Sequence, residues 1–416
     1  MTNGILSRIE FETGYDFPAL DDKVLRVFSE WREQGLLGFL DLPGDQGLLQ
    51  QSLRAASDCR RAAGRMVVLG IGGSSLGLRA TRAALGEVSR SSVVLADCPD
   101  ARRFEVLKDT LDPQDTLVTV VTKSGGTAET IAGFLEMYRW LPPDLRDRRI
   151  VAVTDPEKGD LRRLAEDRGW LALPVPPSVG GRYSVMSPVG VFPAAYDGLD
   201  VEGLLQGGAD VVADFDRNGP DSLPAAMAAA LLQVFDTHPV LVFFAYSEYL
   251  YRTGQWFAQL WAESLGKRID LDGKVVEVGQ TPLPCRGPAD QHSFGQLFME
   301  GPPDKAFLIT TVAETATPLP GGFEDYPSIA YLEDSSLHEL RAAEADATTE
   351  ALRERGLPVC RLDISELDAR ALGQLMMSLQ IATVLCGLAL NVNPLNQPGV
   401  ERGKVLTYRA LGRSGY

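Results

Sequence analysis

The chain is poor in the residues that usually advertise a chemical site. Only three of its 416 residues are histidine, His238, His292 and His338, and no HExxH pattern or Cys/His cluster accompanies them. A zinc site is therefore not expected. The five cysteines, Cys59, Cys98, Cys285, Cys360 and Cys386, form no CxxC and are odd in number. That excludes a disulfide scaffold and points to a reducing, cytoplasmic location. Basic residues are outnumbered, 40 against 56, for a net charge of −16. A surface this acidic argues against nucleic acid or an anionic membrane as partner, and an anionic substrate would need a local positive site. The opening segment MTNGILSRIEFETGYDF has no continuous apolar core and does not read as a signal peptide. The most apolar long stretch, Leu375–Leu390, contains Ser378, Gln380 and Thr383. It falls short of the ~20 residues of a bilayer span, so a buried core helix is expected.

What is present is ordinary globular material, 45% hydrophobic and 23% charged. The length fits two α/β domains at ~150 residues as a soft unit. In the first half, β-rich runs at 66–71, 92–97, 116–123 and 148–155 alternate with helical patterns at 76–88, 127–141 and 160–169. Such alternation implies βαβ units and a parallel sheet covered on both faces. A Pro/Gly break at Asn218-Gly219-Pro220, followed by Leu223-Pro224, reads as a linker or loop. The alternation then resumes: strand 239–247, helix 248–265, strand 305–314, helix 337–356, strand 358–364. The segment 317–327, TPLPGGFEDYP, reads as an internal loop.

Two loops could hold an anion. In Val67–Gly77, VVLGIGGSSLG, a strand runs straight into a helix through glycines. Glycine lets the backbone approach a ligand, and the free N–H groups of a helix start favour negative charge. Gly70-x-Gly72-x-x-Ser75, with Asp97 closing the next strand, approximates a dinucleotide fingerprint. Glycines needed only for close packing are another reading. Sugar-phosphate binding by Gly73 and Ser74 is preferred. In Val120–Thr130, VVTKSGGTAET, the design repeats with hydroxyls on Thr122, Ser124 and Thr127 and a charge on Lys123. The lysine precedes the glycines, so this is no Walker A loop. Thr127 could serve simply as an N-cap. Two such loops at strand ends of one sheet favour a shared anion site, with Lys123 and helix dipoles as its positive potential.

The helix 246–267 carries aromatic residues on several faces and one polar stripe, Arg252, Gln255, Gln259 and Glu263. The stripe either faces water or sets Glu263 at the edge of a cleft as a general base. His338, on a charged helix, is expected to be solvated, and His238 to sit in a loop. His292 lies at a loop-to-helix transition.

Together these residues resemble the glucose-6-phosphate isomerase family. The matching segments are GIGGSSLG (70–77), TKSGGTAET (122–130), VGGRYSVMSPVG (179–190), QLWAESLGK (259–267), QHSFGQLFMEGP (291–302) and NPLNQPGVERGK (393–404). They occur in the family's order over most of the chain. The resemblance implies two sugar-isomerase-type three-layer αβα domains with mostly parallel sheets. It divides the chain into an N-terminal helical arm (1–45), a first domain with the phosphate loops (46–200), a second domain (201–390), and a C-terminal segment (391–416) returning to the active site. It implies reversible interconversion of glucose 6-phosphate and fructose 6-phosphate with neither metal nor nicotinamide cofactor. Gly73, Ser74, Thr122, Lys123, Ser124 and Thr127 match the phosphate cradle. Glu263 matches the base that moves a proton between C2 and C1, and Arg182 the residue near the enediolate. His292 and Lys404 match the ring-opening pair, and Gln259 and Gln397 line the pocket. In the family the histidine comes from the neighbouring subunit, which implies a homodimer. Thr122 stands where many relatives have serine, Gly125-Gly126 where threonine is frequent, and Leu265 where asparagine is common. A sugar-phosphate-binding regulator and a nicotinamide dehydrogenase built on Gly70-x-Gly72 are the rival functions.

Overall fold

The computed structural model describes residues 8–86 and 91–413. Its strands are β1 (Ile9–Thr13), β2 (Arg65–Leu69), β3 (Val93–Ala96), β4 (Thr116–Val121), β5 (Ile150–Thr154), β6 (Leu171–Pro174), β7 (Val240–Tyr246), β8 (Lys267–Ile269), β9 (Val275–Val278), β10 (Thr281–Arg286), β11 (Lys305–Val312) and β12 (Val359–Ile364). They build two five-stranded sheets, ordered β3-β2-β4-β5-β6 and β1-β12-β11-β7-β10, and the small hairpin β8-β9. The first sheet is parallel throughout, and β1 is the one antiparallel member of the second.

Both sheets are covered on two faces, and strand periodicity shows it. Along β2, Met66 and Val68 enter one core cluster while Val67 and Leu69 enter another. Along β7, Leu241, Phe243 and Ala245 join that same first cluster, and Val242, Phe244 and Tyr246 a third. A period of two splitting an unbroken apolar run between two cores is what a fully covered parallel sheet requires. The shared cluster makes the inner faces of both sheets one core, filled by helices including Val201–Asn218, Leu223–Phe235, Tyr251–Leu265 and Ala369–Ala389. Among the described residues, Ala369–Ala389 is the one helix long and apolar enough to cross a membrane, and its most apolar window is wholly buried inside the protein. The expected core helix at 375–390 is thus present and longer.

Three expectations change. The arm over 1–45 is not purely helical: it carries β1, which buries Ile9 and pairs Phe11 with Leu362 at the sheet edge. The Pro/Gly break at 218–224 narrows from linker or loop to a tight loop: a three-residue turn at Gly219–Asp221 joins two helices, and Pro224 sits in the first turn of the second. A proline there forfeits no intrahelical hydrogen bond. The helix expected at 76–88 ends at Leu85, and residues 87 and 88 lie outside the described residues. The 317–327 segment is an irregular loop, as expected, held by one isolated bridge from Pro318 to Ser336.

Candidate active site

β2 and β4 are neighbours, but the chain leaves β2 for β3 on one side and β4 for β5 on the other. The crevice beyond their C-terminal ends is the topological switch point, where open α/β sheets bind ligands. Both candidate loops open there, each leading into a helix, Leu76–Leu85 and Ala128–Trp140.

In the second loop the side chains of Thr122, Ser124 and Thr127 converge. Thr122 Oγ1 lies 2.9 Å from Thr127 Oγ1 and 3.3 Å from Ser124 Oγ, and the last two are 3.4 Å apart. Thr127 occupies the N-cap position, yet its side chain makes no cap hydrogen bond. Capping therefore does not explain it. Three hydroxyls each bring one donor and can turn it towards an anion. Lys123 behaves differently from expectation: its ammonium donates to the carbonyls of Pro177 (2.6 Å) and Val179 (3.0 Å). Burial lowers its pKa below the usual lysine range, partly offset by Asp155. Its charge supports the turn that leads to Arg182 rather than standing free over the hydroxyls.

The first loop meets that same turn. A Cβ on Gly73 would lie 2.3 Å from the Gly181 carbonyl carbon and 2.7 Å from the Arg182 nitrogen, so only glycine permits this contact. Close packing accounts for Gly73. The N–H of Ser74 donates to Ile71 O at 3.1 Å within the turn, which leaves its hydroxyl as the donor available to a ligand. Asp97, the acid a dinucleotide ribose would need, is ion-paired with Arg79.

Arg182 is 3% exposed, and all five of its N–H donors are used. Nε donates to Ser264 Oγ (2.8 Å), Nη1 to Glu263 Oε2 (3.2 Å) and Gln397 Oε1 (2.9 Å), and Nη2 to the carbonyls of Pro394 (2.5 Å) and Asn396 (3.0 Å). The guanidinium also stacks over Tyr183, whose hydroxyl is 2.9 Å from Ser264 Oγ. Glu263 is held from both ends, its other oxygen accepting from Gln259 Nε2 at 3.1 Å, and its side chain stays 32% exposed. The four stripe residues are all half-buried, so the stripe faces a cleft rather than open water. Leu265 is fully buried in the core.

Sequence reasoning missed three participants. Ser264 and Tyr183 set Arg182, and the buried Lys267 ammonium donates to the carbonyls of Glu263 (2.5 Å) and Ser264 (2.8 Å). Desolvation and the nearby Arg182 bring the pKa of Lys267 down to about 8. Lys267 closed the quoted QLWAESLGK segment, and its spacing of four from Glu263 placed it one helical turn on.

Two expected residues are not joined to this centre within one chain. His292 is exposed in the first turn of helix Gln291–Glu300. Lys404 lies on helix Glu401–Ala410, paired with Glu401 at 2.7 Å. The described chain therefore holds no His292–Lys404 pair. His338 is half-buried beside Arg341 rather than solvated, and His238 bonds Thr237 ahead of β7.

A family model described as phosphoglucose isomerase matches residues 54–309. A glucose-6-phosphate isomerase of Rubrobacter xylanophilus is 41% identical, with 91% of this chain and 90% of that one covered. One from Thermus thermophilus is 40% identical over 95% of each. A crystal structure of a hypothetical protein from Thermus thermophilus superposes with a TM-score of 0.88 at 38% identity, covering 94% of both chains. A glucose-6-phosphate isomerase from Chlamydia trachomatis, 24% identical, shares the fold with a TM-score of 0.72 over 87% of this chain and 73% of its own. With a guanidinium-fixed carboxylate beside a hydroxyl-lined crevice and relatives of this closeness along nearly its whole length, the chain belongs to the phosphoglucose isomerase family.

Proposed function

We propose that this protein interconverts glucose 6-phosphate and fructose 6-phosphate through a cis-enediol, a step of glycolysis and gluconeogenesis, with Glu263 as the base between C2 and C1. The observation that carries this reading is the placement of the Glu263 carboxylate between Arg182 and Gln259. One carboxylate on one face of the open-chain sugar suffices to take the proton from one carbon and return it to the next. The negative charge that grows on the enediolate oxygen falls to Arg182. A guanidinium already held by five acceptors needs no reorganisation as that charge develops. Gln397 shares Nη1 with Glu263, so a substrate oxygen reaches this donor by displacing or joining the amide. The Thr122, Ser124 and Thr127 hydroxyls, with Ser74 across the crevice and Lys123 and Gly73 behind, hold the phosphate and fix the sugar over Glu263.

Ring opening needs a proton at the ring oxygen and removal of one from O1. We assign these to His292 and Lys404, with His292 supplied by the second subunit of a homodimer. The exposure of His292 and the absence of any buried residue on helix Glu401–Ala410 support a surface that another copy completes. All five thiols are free, which supports a reducing cytoplasm.

The decisive experiment is a fructose 6-phosphate to glucose 6-phosphate assay with EDTA and without nicotinamide in the isomerase step, on wild type and Glu263→Gln. Loss of turnover with retained substrate binding in the variant is expected; retained turnover removes Glu263 as the base, and an inactive wild type favours a sugar-phosphate-binding regulator. Donation across the interface has its own test. Glu263→Gln and His292→Ala are each inactive, and mixing them restores about a quarter of wild-type activity, because half of the re-formed dimers carry one intact site. No recovery despite demonstrated subunit exchange refutes the donation.

A further inference from the structure

The phosphate crevice has an electrostatic deficit. Its three hydroxyls are neutral, and the nearest lysine, Lys123, is committed to two carbonyls. A sugar phosphate would approach a protein of net charge −16 with hydroxyls and helix termini as its main support.

The C-terminal segment brings a cation to the rim of this loop. Helix Glu401–Ala410 ends in a Schellman turn: Gly412, at φ +72°, donates to Arg409 O at 3.1 Å, and the Arg413 N–H reaches back to Tyr408 O at 2.9 Å. These bonds fix Arg413 against the helix. Its guanidinium lies 4.4 Å from the centre of the Tyr408 ring, so the side chain is aimed as well as anchored.

The pair meets Gly126. The Tyr408 hydroxyl and Arg413 Nη1 donate to the Gly126 carbonyl at 3.4 and 3.5 Å, while the Gly126 N–H points to Ser124 Oγ at 3.5 Å. One residue, Gly126, thus lies between the guanidinium and the hydroxyl of Ser124. A Cβ built on Gly126 would stand 3.4 Å from Arg413 Nη2, in ordinary van der Waals contact, so the guanidinium lies directly against this residue of the loop.

We propose that Arg413 is a substrate-binding residue of this site, its guanidinium meeting the phosphate dianion beside the Thr122, Ser124 and Thr127 hydroxyls. A guanidinium suits this place because its planar fork matches two phosphate oxygens at once and its charge is permanent. The Gly126 carbonyl is the weaker of the two acceptors and is exchanged for the anion when substrate binds. The same residue ties the helix bearing Lys404 to the loop that binds phosphate.

The proposal rests on the assignment of the hydroxyl triad to phosphate, and the test separates the two. The KM for fructose 6-phosphate, kcat, and the inhibition constant for inorganic phosphate are measured for Arg413→Ala, Arg413→Lys and Ser124→Ala in the full chain. For Arg413→Ala, KM and the phosphate inhibition constant both rise about tenfold or more with kcat within about twofold, as for loss of a charge-assisted bond. Arg413→Lys falls between, since it keeps the charge and loses the fork. If Arg413→Ala leaves both constants unchanged while Ser124→Ala raises them, Arg413 is a solvated terminus of the helix and the proposal is overturned. If neither variant changes them, the phosphate site itself is misassigned. A higher KM with unaltered phosphate inhibition also overturns the proposal, because Arg413 would then act only by placing the helix.

Discussion

In the crevice between β2 and β4, three neutral hydroxyls face one another with nothing charged between them; at the C-terminal ends of β11 and β12, charged side chains are joined in pairs. There Arg361 holds Asp346 (2.6 Å) and Asp363 (2.8 Å), Thr311 donates to Asp363 (2.6 Å), and Arg341 holds Glu314 (3.0 Å). A cavity of about 280 Å³ opens over this second crevice and is also lined by His338. The contrast teaches that volume is a poor guide to which crevice works. A crevice whose charges neutralise one another has little to offer an anion, whereas hydroxyls with no ionic partner can turn their donors from one another to the ligand. The two halves still cooperate, because Gln259 and Glu263 stand on the helix that follows β7 and reach across to the first sheet's loops, where Gln259 Nε2 closes on Gly72.

The contrast can be broken in four places, from the largest expected effect to the smallest. Glu263→Gln should cost at least the 10²–10⁴-fold that positioned acid–base catalysis typically supplies, read as kcat with substrate binding retained. Thr122→Val combined with Ser124→Ala should raise KM by about two to four orders of magnitude, since two bonds to a charged group are removed at ~1.5–3 kcal/mol each. A KM within a few-fold of wild type would mean the hydroxyls are structural.

Lys267 gives a pH signature. Its folded pKa of about 8 lies below its ordinary value of 10.5. Between these values the unfolded chain carries a proton that the folded chain has released, so the lysine's contribution to stability rises with pH across that window. Below about pH 8 both forms are protonated and the cost of burying the charge is present in full. Thermal midpoints of Lys267→Met should therefore lose ground to wild type as pH climbs from about 8 towards 10.5; a constant difference would show that Lys267 does not titrate there. The smallest effect belongs to the second crevice. Thr311→Val should lower stability by about 1.5–3 kcal/mol through the lost bond to the Asp363 carboxylate, with kcat and KM unchanged. A KM shift matching that of the triad variants would erase the distinction between the crevices.

Much of the first half was readable because its strands are apolar runs and its two loops carry glycine and hydroxyls at the strand ends. The second sheet hid both of its edges. β10 contains Pro282 and Pro284, which argue against a strand, and yet an edge strand tolerates prolines whose missing N–H groups face away from its one neighbour. β1 is five residues of alternating IEFET, short enough to pass for the end of a helical arm. In the site, Glu263 and Arg182 could be named from their motifs, but the commitment of Lys123 to two carbonyls could not, since its partners lie 54 and 56 residues away. Arg413 was invisible for the opposite reason. It follows a glycine in a polar tail, and only the Schellman turn gives that tail a direction.

The helix Ala369–Ala389 has a consequence for how the protein is made. On the growing chain it follows all twelve strands of the described residues. Both sheets can therefore form before the helix that joins their inner faces exists. Until it docks, helices Val201–Asn218 and Leu223–Phe235 lack their partner, with Asp210 awaiting the bidentate Arg370 and the Ala228 carbonyl awaiting Cys386. Until then the apolar faces of these helices have no cover, and the segment that supplies it is, among the described residues, the one helix long and apolar enough to cross a membrane. Rapid docking of that helix, or a chaperone holding the uncovered faces, is a demand that this architecture places on the cell at every round of synthesis.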